Sequence, residues 1–143
     1  AAIAAEELFK RAQKEEIHLW GISGYRSYKR QEELFSSANG RSGVAPPGCS
    51  EHQTGLALDI SCPDENYELE ESFAKTKEGC WLARHCALFG FILRYPKNKE
   101  EITGFPFEPW HIRYTGIGLA SSLTLTGMTL EEYYERGLHL PPK

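Results

Sequence analysis

The spacing of apolar and polar residues along the chain predicts a mixture of helices and short strands. Apolar residues that recur every three or four positions favour helices, whereas short, nearly continuous apolar runs favour strands. Helices are predicted for residues 2–16, 28–38, 73–89, 117–125 and 130–136, and a turn or short helix for residues 97–103. Strands are predicted for residues 17–23, 56–61, 91–95 and 109–115.

Turn-forming and capping residues set the limits of these elements. Asn39-Gly40 ends the second helix, and residues 41–48 form a loop rich in Gly and Pro. The acidic residues 63–71 are predicted to form an exposed loop. We expect the helix 73–89 to be interrupted near Gly79 and to end at Gly90. Thr129 and Glu132 match a capping box at the start of the last helix.

The order of these elements indicates an α+β fold. Helices and strands do not follow a regular βαβ rhythm, which favours a central antiparallel sheet flanked by helices. A length of 143 residues is typical of one small domain, and 41% hydrophobic with 25% charged residues is ordinary for a globular protein. We therefore expect residues 1–143 to form one domain.

Charge and hydropathy exclude several functional classes. The net charge is -4, and no basic stretch is dense enough to bind nucleic acid. No apolar run approaches the roughly 18 residues that span a bilayer. The sequence has no signal peptide and does not begin with Met, so we expect an export signal or an anchor in a preceding segment, which would supply any membrane contact.

The four cysteines leave two states open. Cys49, Cys62, Cys80 and Cys86 form no CxxC pair, which argues against a structural zinc knuckle. An even count suits two disulfides in an exported protein, and reduced, buried thiols are the alternative. If disulfides form, we expect Cys49 to pair with Cys62, because these residues flank a segment whose ends must converge.

That segment, residues 50–59, carries the clearest candidate chemistry. His52 and Asp59 are seven positions apart, whereas two ligands on one helix face would be three or four positions apart. A turn at Gly55 followed by a strand would bring the two side chains together. Because a buried carboxylate without a partner is unfavourable, Asp59 on an apolar strand is expected to contact a metal or an arginine.

Residues 107–114 supply the remaining candidates. Pro109 favours an extended Glu108, and His111 follows on a predicted strand. Two histidines and one carboxylate are a catalytic zinc set that leaves one coordination position open. Trp110 suits a site wall and a core position equally well. The other histidines, His18, His85 and His139, are interpreted as ordinary core or surface residues.

This set predicts a hydrolytic mechanism. A zinc ion would activate water, and Glu108 would accept its proton and pass it to the leaving amine. Arg26 follows a strand end and Gly24, and it is the candidate for stabilising the developing oxyanion. A surface ion pair is the alternative role for Arg26.

Three segments together resemble the VanY-type D-alanyl-D-alanine carboxypeptidases. They are Gly24-Tyr-Arg-Ser27 with Gln31, Ser50-x-His52-x-x-Gly55-x-Ala57-x-Asp59, and Glu108-Pro-Trp-His111. The segments run in family order over most of the chain. The family is related to the L,D-carboxypeptidases, the vancomycin-resistance dipeptidases and the hedgehog domain, and it implies a small α+β fold.

The resemblance also implies a role for each matching residue. It assigns one zinc ion per chain to His52, Asp59 and His111, catalysis to Glu108 and Arg26, and substrate binding to Ser50, Gln31, Trp110 and Tyr25. The implied substrate is a peptidoglycan stem or precursor that ends in D-Ala-D-Ala, with a possible link to glycopeptide resistance. We expect a monomer outside the cytoplasm, in the cell wall or anchored to the membrane of a bacterium.

Three other functions stay open at this point. The first is an L,D-carboxypeptidase that trims tetrapeptide stems with the same chemistry. The second is a zinc-bound peptidoglycan-binding domain without catalysis, which would need neither Glu108 nor Arg26. The third is a purely structural module, which would leave Asp59 unexplained.

Overall fold

The strands form one four-stranded antiparallel sheet in a computed structural model that describes residues 1–38 and 44–138. The order of strands across the sheet is β1-β2-β4-β3. The strands are β1 (Trp20–Ser23), β2 (Ala57–Ser61), β3 (Phe91–Tyr95) and β4 (Glu108–Tyr114). The helices are α1 (Ala2–Lys14), α2 (Tyr28–Ser37), α3 (Lys77–His85), α4 (Glu100–Thr103), α5 (Ile117–Thr126) and α6 (Leu130–Leu138). The predicted α+β class is confirmed.

The two faces of the sheet have different roles because successive side chains on a strand point to opposite faces. Ile60 of β2 and Ile112 of β4 lie in the main core together with Leu8 of α1 and Leu82 of α3. The residues just before them, Asp59 and His111, therefore point to the other face. The apolar face fixes the sheet, and the opposite face carries the polar residues of the candidate site.

Strand β1 is shorter than predicted. Residues 17–19 were expected to be extended with it, but the strand begins at Trp20, which pairs with Ser61 at the end of β2. Earlier residues have no facing partner on β2. Ile17 and Leu19 are still buried in the main core, so their apolar character reflects packing outside the sheet.

The predicted interruption near Gly79 lies at Thr76 instead. The Thr76 hydroxyl accepts a hydrogen bond from the backbone N–H of Gly79 at 2.9 Å and starts α3. A short 3-10 segment (Glu71–Lys75) precedes it. Gly79 lies inside α3, where a Cβ atom would come within 1.9 Å of the Phe73 carbonyl oxygen. Its glycine allows this close approach and does not break the helix.

The C-terminal helices were predicted closely. The backbone N–H of Thr129 donates to the Glu132 carboxylate at 2.8 Å, and the backbone N–H of Glu132 donates to the Thr129 hydroxyl at 3.3 Å. This reciprocal pair is the predicted capping box. Leu123 of α5 and Leu130 of α6 pack with Ile92 of β3 in a second, smaller core cluster.

All four cysteines are free, which matches the reduced alternative, so the pairing of Cys49 with Cys62 that was expected if disulfides form does not occur. Cys62 follows β2 and is fully buried in the main core, whereas Cys49 is exposed before the segment that leads into β2. The length of β2 separates the two positions. Burial raises the pKa of the Cys86 thiol to about 12, which keeps this thiol protonated and unreactive.

The predicted helix stop at residues 39–40, the loop residues 41–43 and His139 lie outside the described residues. None of the helices in the described ranges has both the length and the apolar character needed to cross a membrane.

Candidate metal centre and active site

His52, Asp59 and His111 converge at one point on the polar face of the sheet. His52 lies on a 3-10 segment (Glu51–Thr54) that ends at Gly55, whose φ of 70° is in the left-handed region. The chain then enters β2, where Asp59 directly faces His111 of β4. One nitrogen or oxygen atom from each of the three residues lies within 4.8 Å of the others, and all three residues are buried.

In each histidine ring, one nitrogen faces Asp59, and the other, outer nitrogen is bound by a residue outside the triad. His52 Nδ1–H donates to the Gly24 carbonyl oxygen at 2.7 Å, which leaves Nε2 directed at Asp59, 3.1 Å away. His111 is turned the other way: Nδ1 is 2.9 Å from Asp59, and Nε2 is 3.3 Å from Glu51. Each imidazole therefore presents one nitrogen to the carboxylate and has a partner for its other N–H.

This donor set fits a zinc ion. Two imidazole nitrogens and one carboxylate oxygen are zinc ligands in hydrolytic sites, and the outer N–H of a ligating histidine is usually bound to a carbonyl or carboxylate. The carbonyl of Gly24 and the carboxylate of Glu51 supply these two outer partners. Among the described residues, no second group of three His, Cys, Asp or Glu side chains comes this close together.

Glu108 reaches the same site because β4 is irregular. Residues three apart on a regular strand point to opposite faces, which would separate Glu108 from His111. However, Leu93 pairs with Ile112 while Tyr95 pairs with Glu108, so two steps along β3 match four along β4. The additional residues of β4 include Pro109, which cannot donate to the ladder. A carboxylate oxygen of Glu108 consequently lies 3.8 Å from His111 Nδ1.

The pKa values of Asp59 and Glu108 are shifted in opposite directions. Burial would raise the pKa of Asp59, but hydrogen bonds from His111 and His52 outweigh it and lower this pKa to about 2. Burial raises the pKa of Glu108 to about 7, and the Asp59 carboxylate acts in the same direction. Asp59 is thus a permanent anion, whereas Glu108 is suited to exchanging a proton near neutral pH.

His111 carries the opposite shift. Burial would lower the pKa of its imidazole, but hydrogen bonds with Asp59 and Glu51 raise it to about 9. A metal ion at this position would therefore displace a proton from the ring, as zinc ligation generally requires.

Arg26 approaches the triad from the end of β1. Its Nε–H donates to the Ser23 hydroxyl at 3.1 Å, and one terminal nitrogen donates to the Gln31 side-chain oxygen at 3.0 Å. The other terminal nitrogen lies 3.4 Å from Asp59. The guanidinium is therefore fixed mainly by neutral groups beside the predicted metal ligands.

A cavity of about 670 Å³ opens over the triad. Ser50 and Trp110 line it together with Arg26, Gln31 and Glu108. Such a volume suits a small ligand or the end of a peptide. Trp110 also packs against the main core, so it is at once a wall of the cavity and part of the core packing.

Two of the predicted substrate-binding residues are placed differently from the others. Gln31 is fully buried, and its amide nitrogen donates to the Ala45 carbonyl at 2.7 Å while its oxygen accepts from Arg26. Tyr25 is 70% exposed and is not part of the cavity lining, because Arg26 points inward and Tyr25 outward. The contacts of Gln31 serve to hold Arg26, and binding of substrate by either residue stays a prediction.

Several residues of the site were missed by the sequence analysis. Glu51 contacts His111 and accepts a hydrogen bond from Arg94 of β3 at 2.7 Å. It also forms an ion pair with Arg113 of β4 at 3.2 Å. The Tyr95 ring lies 5.0 Å from the His111 ring. A carboxylate adjacent to His52 was a usable signal for Glu51. The arginines gave none, because their pairing depends on strands far apart in sequence.

Comparisons with known proteins bear on what this arrangement is. The family model described as VanY, D-alanyl-D-alanine carboxypeptidase, matches residues 1–117. This match covers all three predicted metal ligands, Glu108 and Arg26. The chain belongs to the VanY family. The predicted resemblance to the VanY-type carboxypeptidases is thereby confirmed.

Individual relatives of the VanY family support the same assignment. The "Putative carboxypeptidase YodJ" of Bacillus subtilis (strain 168) is 46% identical over 143 residues, which are 95% of this chain and 52% of that protein. This chain thus spans about half the length of that curated relative. The name of that relative describes a carboxypeptidase.

Solved structures of VanY-family proteins share the fold. The LdcB LD-carboxypeptidase has a TM-score of 0.88 and 45% identity, covering 94% of this chain and 66% of the solved one. A vancomycin-resistance D,D-pentapeptidase VanY, solved as a mutant in complex with Zn(II), has a TM-score of 0.76 and 36% identity. That match covers 93% of this chain and 80% of the VanY chain. Both D,D- and L,D-carboxypeptidases are therefore among its structural relatives.

Proposed function

We propose that the protein is a zinc-dependent carboxypeptidase that releases the C-terminal D-alanine of peptidoglycan stems. Stems that end in D-Ala-D-Ala are its proposed preferred substrate. The observation that carries the proposal is the arrangement of five side chains around one cavity. His52, Asp59 and His111 present ligand atoms to one point. Glu108 and Arg26 line the same cavity without being needed as ligands.

His52, Asp59 and His111 would hold one zinc ion. The neighbouring VanY solved with Zn(II) supports the choice of metal. When bound, zinc would supply Lewis-acid polarisation of the scissile carbonyl and lower the pKa of a water molecule. Asp59 contributes a permanent negative charge to this set, because its pKa is already lowered to about 2.

Glu108 would move the proton. Its carboxylate lies beside His111 and lines the cavity, where an attacking water would enter. A general base is most effective when its pKa is near the working pH, and burial raises the pKa of Glu108 to about 7. After accepting a proton, Glu108 would donate it to the amine of the departing D-alanine.

Arg26 would stabilise the negative charge that develops on the carbonyl oxygen. Its guanidinium is oriented in advance by Ser23 and Gln31, so it need not reorganise during the reaction. Ser50 lines the cavity two residues before His52, and its hydroxyl does not cap the following 3-10 segment. This hydroxyl is the candidate donor to the carboxylate at the substrate's end.

An L,D-carboxypeptidase is the second candidate function. Its support is the greater similarity to LdcB, at 45% identity, than to the zinc-bound VanY, at 36%. Both activities release a terminal D-alanine, and they differ in the residue that precedes the cleaved bond. Because such stems lie in the cell wall, we also propose that the protein acts outside the cytoplasm.

Product analysis distinguishes these activities. Zinc-loaded protein is incubated separately with pentapeptide and tetrapeptide stems, and the products are weighed by mass spectrometry. The proposal predicts the loss of one alanine from the pentapeptide, and Glu108→Ala serves as the inactive control. Activity confined to the tetrapeptide would support the L,D function, and cleavage inside the stem would contradict both.

A further inference from the structure

The ring of His111 is held by Glu51, a carboxylate that is not one of the three candidate metal ligands. His111 Nδ1 faces Asp59, whereas Nε2 faces Glu51 at 3.3 Å. Glu51 precedes His52 on the same 3-10 segment, so its side chain reaches across to the ligand on β4. A carboxylate in this position fixes which ring nitrogen carries the proton and thereby which one can bind a metal.

Glu51 is itself held by a second layer of charged residues. Arg94 Nε–H donates to one Glu51 oxygen at 2.7 Å. The terminal nitrogens of Arg94 bind both oxygens of Glu131 in α6, one of them at 3.0 Å. The Arg94 side chain is only 11% exposed and that of Glu51 15%, so water competes little for these contacts.

We propose that Glu51, Arg94 and Glu131 form a positioning network that orients His111 for metal binding, which makes α6 a functional part of the metal centre. This inference rests on the proposed zinc function. The family match ends at residue 117, so Glu131 lies outside the matched region. A planar guanidinium can bind two carboxylates in fixed directions at once, which suits Arg94 to connect α6 with the 3-10 segment.

A purely structural role is the alternative. Arg94 and Glu131 would then only attach α6 to the sheet, and their loss would lower stability without changing the metal centre. Lys99, just before α4, already pairs with Glu132 of α6 at 2.8 Å, so α6 has a second attachment. Zinc affinity, measured well below the unfolding temperature of each variant, separates the two roles.

The experiment compares three glutamate variants by competition with a chelator of known zinc affinity. Glu51→Gln is expected to weaken zinc binding by about 10–100-fold, as replacement of partners to ligating histidines typically does. Glu131→Gln is expected to weaken it by a smaller factor, of at least about 3-fold. Glu135→Gln, an exposed position on the same helix, is the matched control and should equal the wild type.

The double variant tests whether Glu131 acts through Glu51. If it does, adding Glu131→Gln to Glu51→Gln causes little further loss of zinc affinity, whereas independent effects would multiply. Arg94→Lys keeps the charge but not the planar fork, and it should also weaken zinc binding. It replaces Glu131→Gln in the comparison if that variant does not fold.

The outcomes distinguish failure of the network from failure of the proposed zinc function. Zinc affinity equal to that of Glu135→Gln in either the Glu51 or the Glu131 variant overturns the network, even if stability falls. In that case a wild type that binds zinc and releases alanine leaves the proposed function intact. A wild type that does not bind zinc overturns both.

Discussion

Two arginines flank the metal triad, and the protein uses them in opposite ways. Arg94 is neutralised by the carboxylates of Glu51 and Glu131 on the closed side of the site. Arg26 lines the open cavity, where neutral groups hold it and its one carboxylate contact, Asp59, is at 3.4 Å. The same side chain therefore stabilises structure on one side and is available to a reacting group on the other.

This difference explains why the site can be both rigid and reactive. Charges buried with full partners restrict the ligands to one geometry. A charge oriented by neutral partners keeps most of its electrostatic influence for the substrate. Variants of the open side should therefore alter turnover, and variants of the closed side should lower both stability and zinc affinity.

The largest effect is expected at Glu108 on the open side. Glu108→Gln removes the proposed base and should lower kcat by about 10²–10⁴-fold, because general bases typically contribute that much. Zinc content and the thermal unfolding midpoint should stay near those of the wild type. Glu101→Gln, exposed on α4, is the matched control, and a Glu108→Gln enzyme with full turnover would contradict the assignment.

Arg26→Met should have the next largest effect. Loss of a charge that stabilises the oxyanion typically lowers kcat by about 10²–10³-fold. Steady-state kinetics on the stem substrate measure this, with the exposed Arg84→Met as control. An increase in KM with an unchanged kcat would show that Arg26 only binds the substrate and does not act in the transition state.

Arg94→Met should instead act on folding. It removes Arg94 as the partner of the half-buried carboxylates of Glu51 and Glu131, although Glu51 keeps its ion pair with Arg113. Loss of such charge-assisted hydrogen bonds typically costs about 1.5–3 kcal/mol. Urea unfolding of the metal-free protein measures the change in the free energy of unfolding. A loss no greater than that of Arg26→Met would remove the distinction between the closed and open sides.

The smallest expected effect concerns the substrate's terminal carboxylate. An amide at that position loses a charge-assisted hydrogen bond to the open side, worth about 1.5–3 kcal/mol. Hydrolysis of the amidated stem should be at least roughly tenfold slower, as measured by kcat/KM for the paired peptides. Equal rates would mean that the cavity does not recognise a free C-terminus.

Local signals in the sequence predicted more than long-range ones. The Thr129–Glu132 capping box and the bounds of β3 depend on neighbouring residues, and both match the structure. The turn at Gly55 was likewise predictable from one segment. The interruption of α3 was misplaced because a glycine was taken as a break, although the Thr76 hydroxyl sets the start of the helix.

The predicted ligands His52 and Asp59 could be placed together because a single turn connects them. The contacts around Glu51 could not be predicted, since Arg94 lies on β3 and is itself bound by Glu131 of α6, both far from Glu51 in sequence. The position of Glu108 beside His111 depends on the irregular pairing of β3 with β4. Pro109 indicated an irregular strand but not the direction in which Glu108 would point.

Zinc content of three purified proteins tests the central claim most directly. Wild type and Glu108→Gln should each contain about one zinc per chain, whereas His111→Ala should contain little, because it lacks one of the three protein ligands. Removing the zinc from the wild type with a chelator should abolish alanine release, and added zinc should restore it. Full activity in a verified metal-free wild type, or loss of zinc from Glu108→Gln as well as from His111→Ala, would contradict the account.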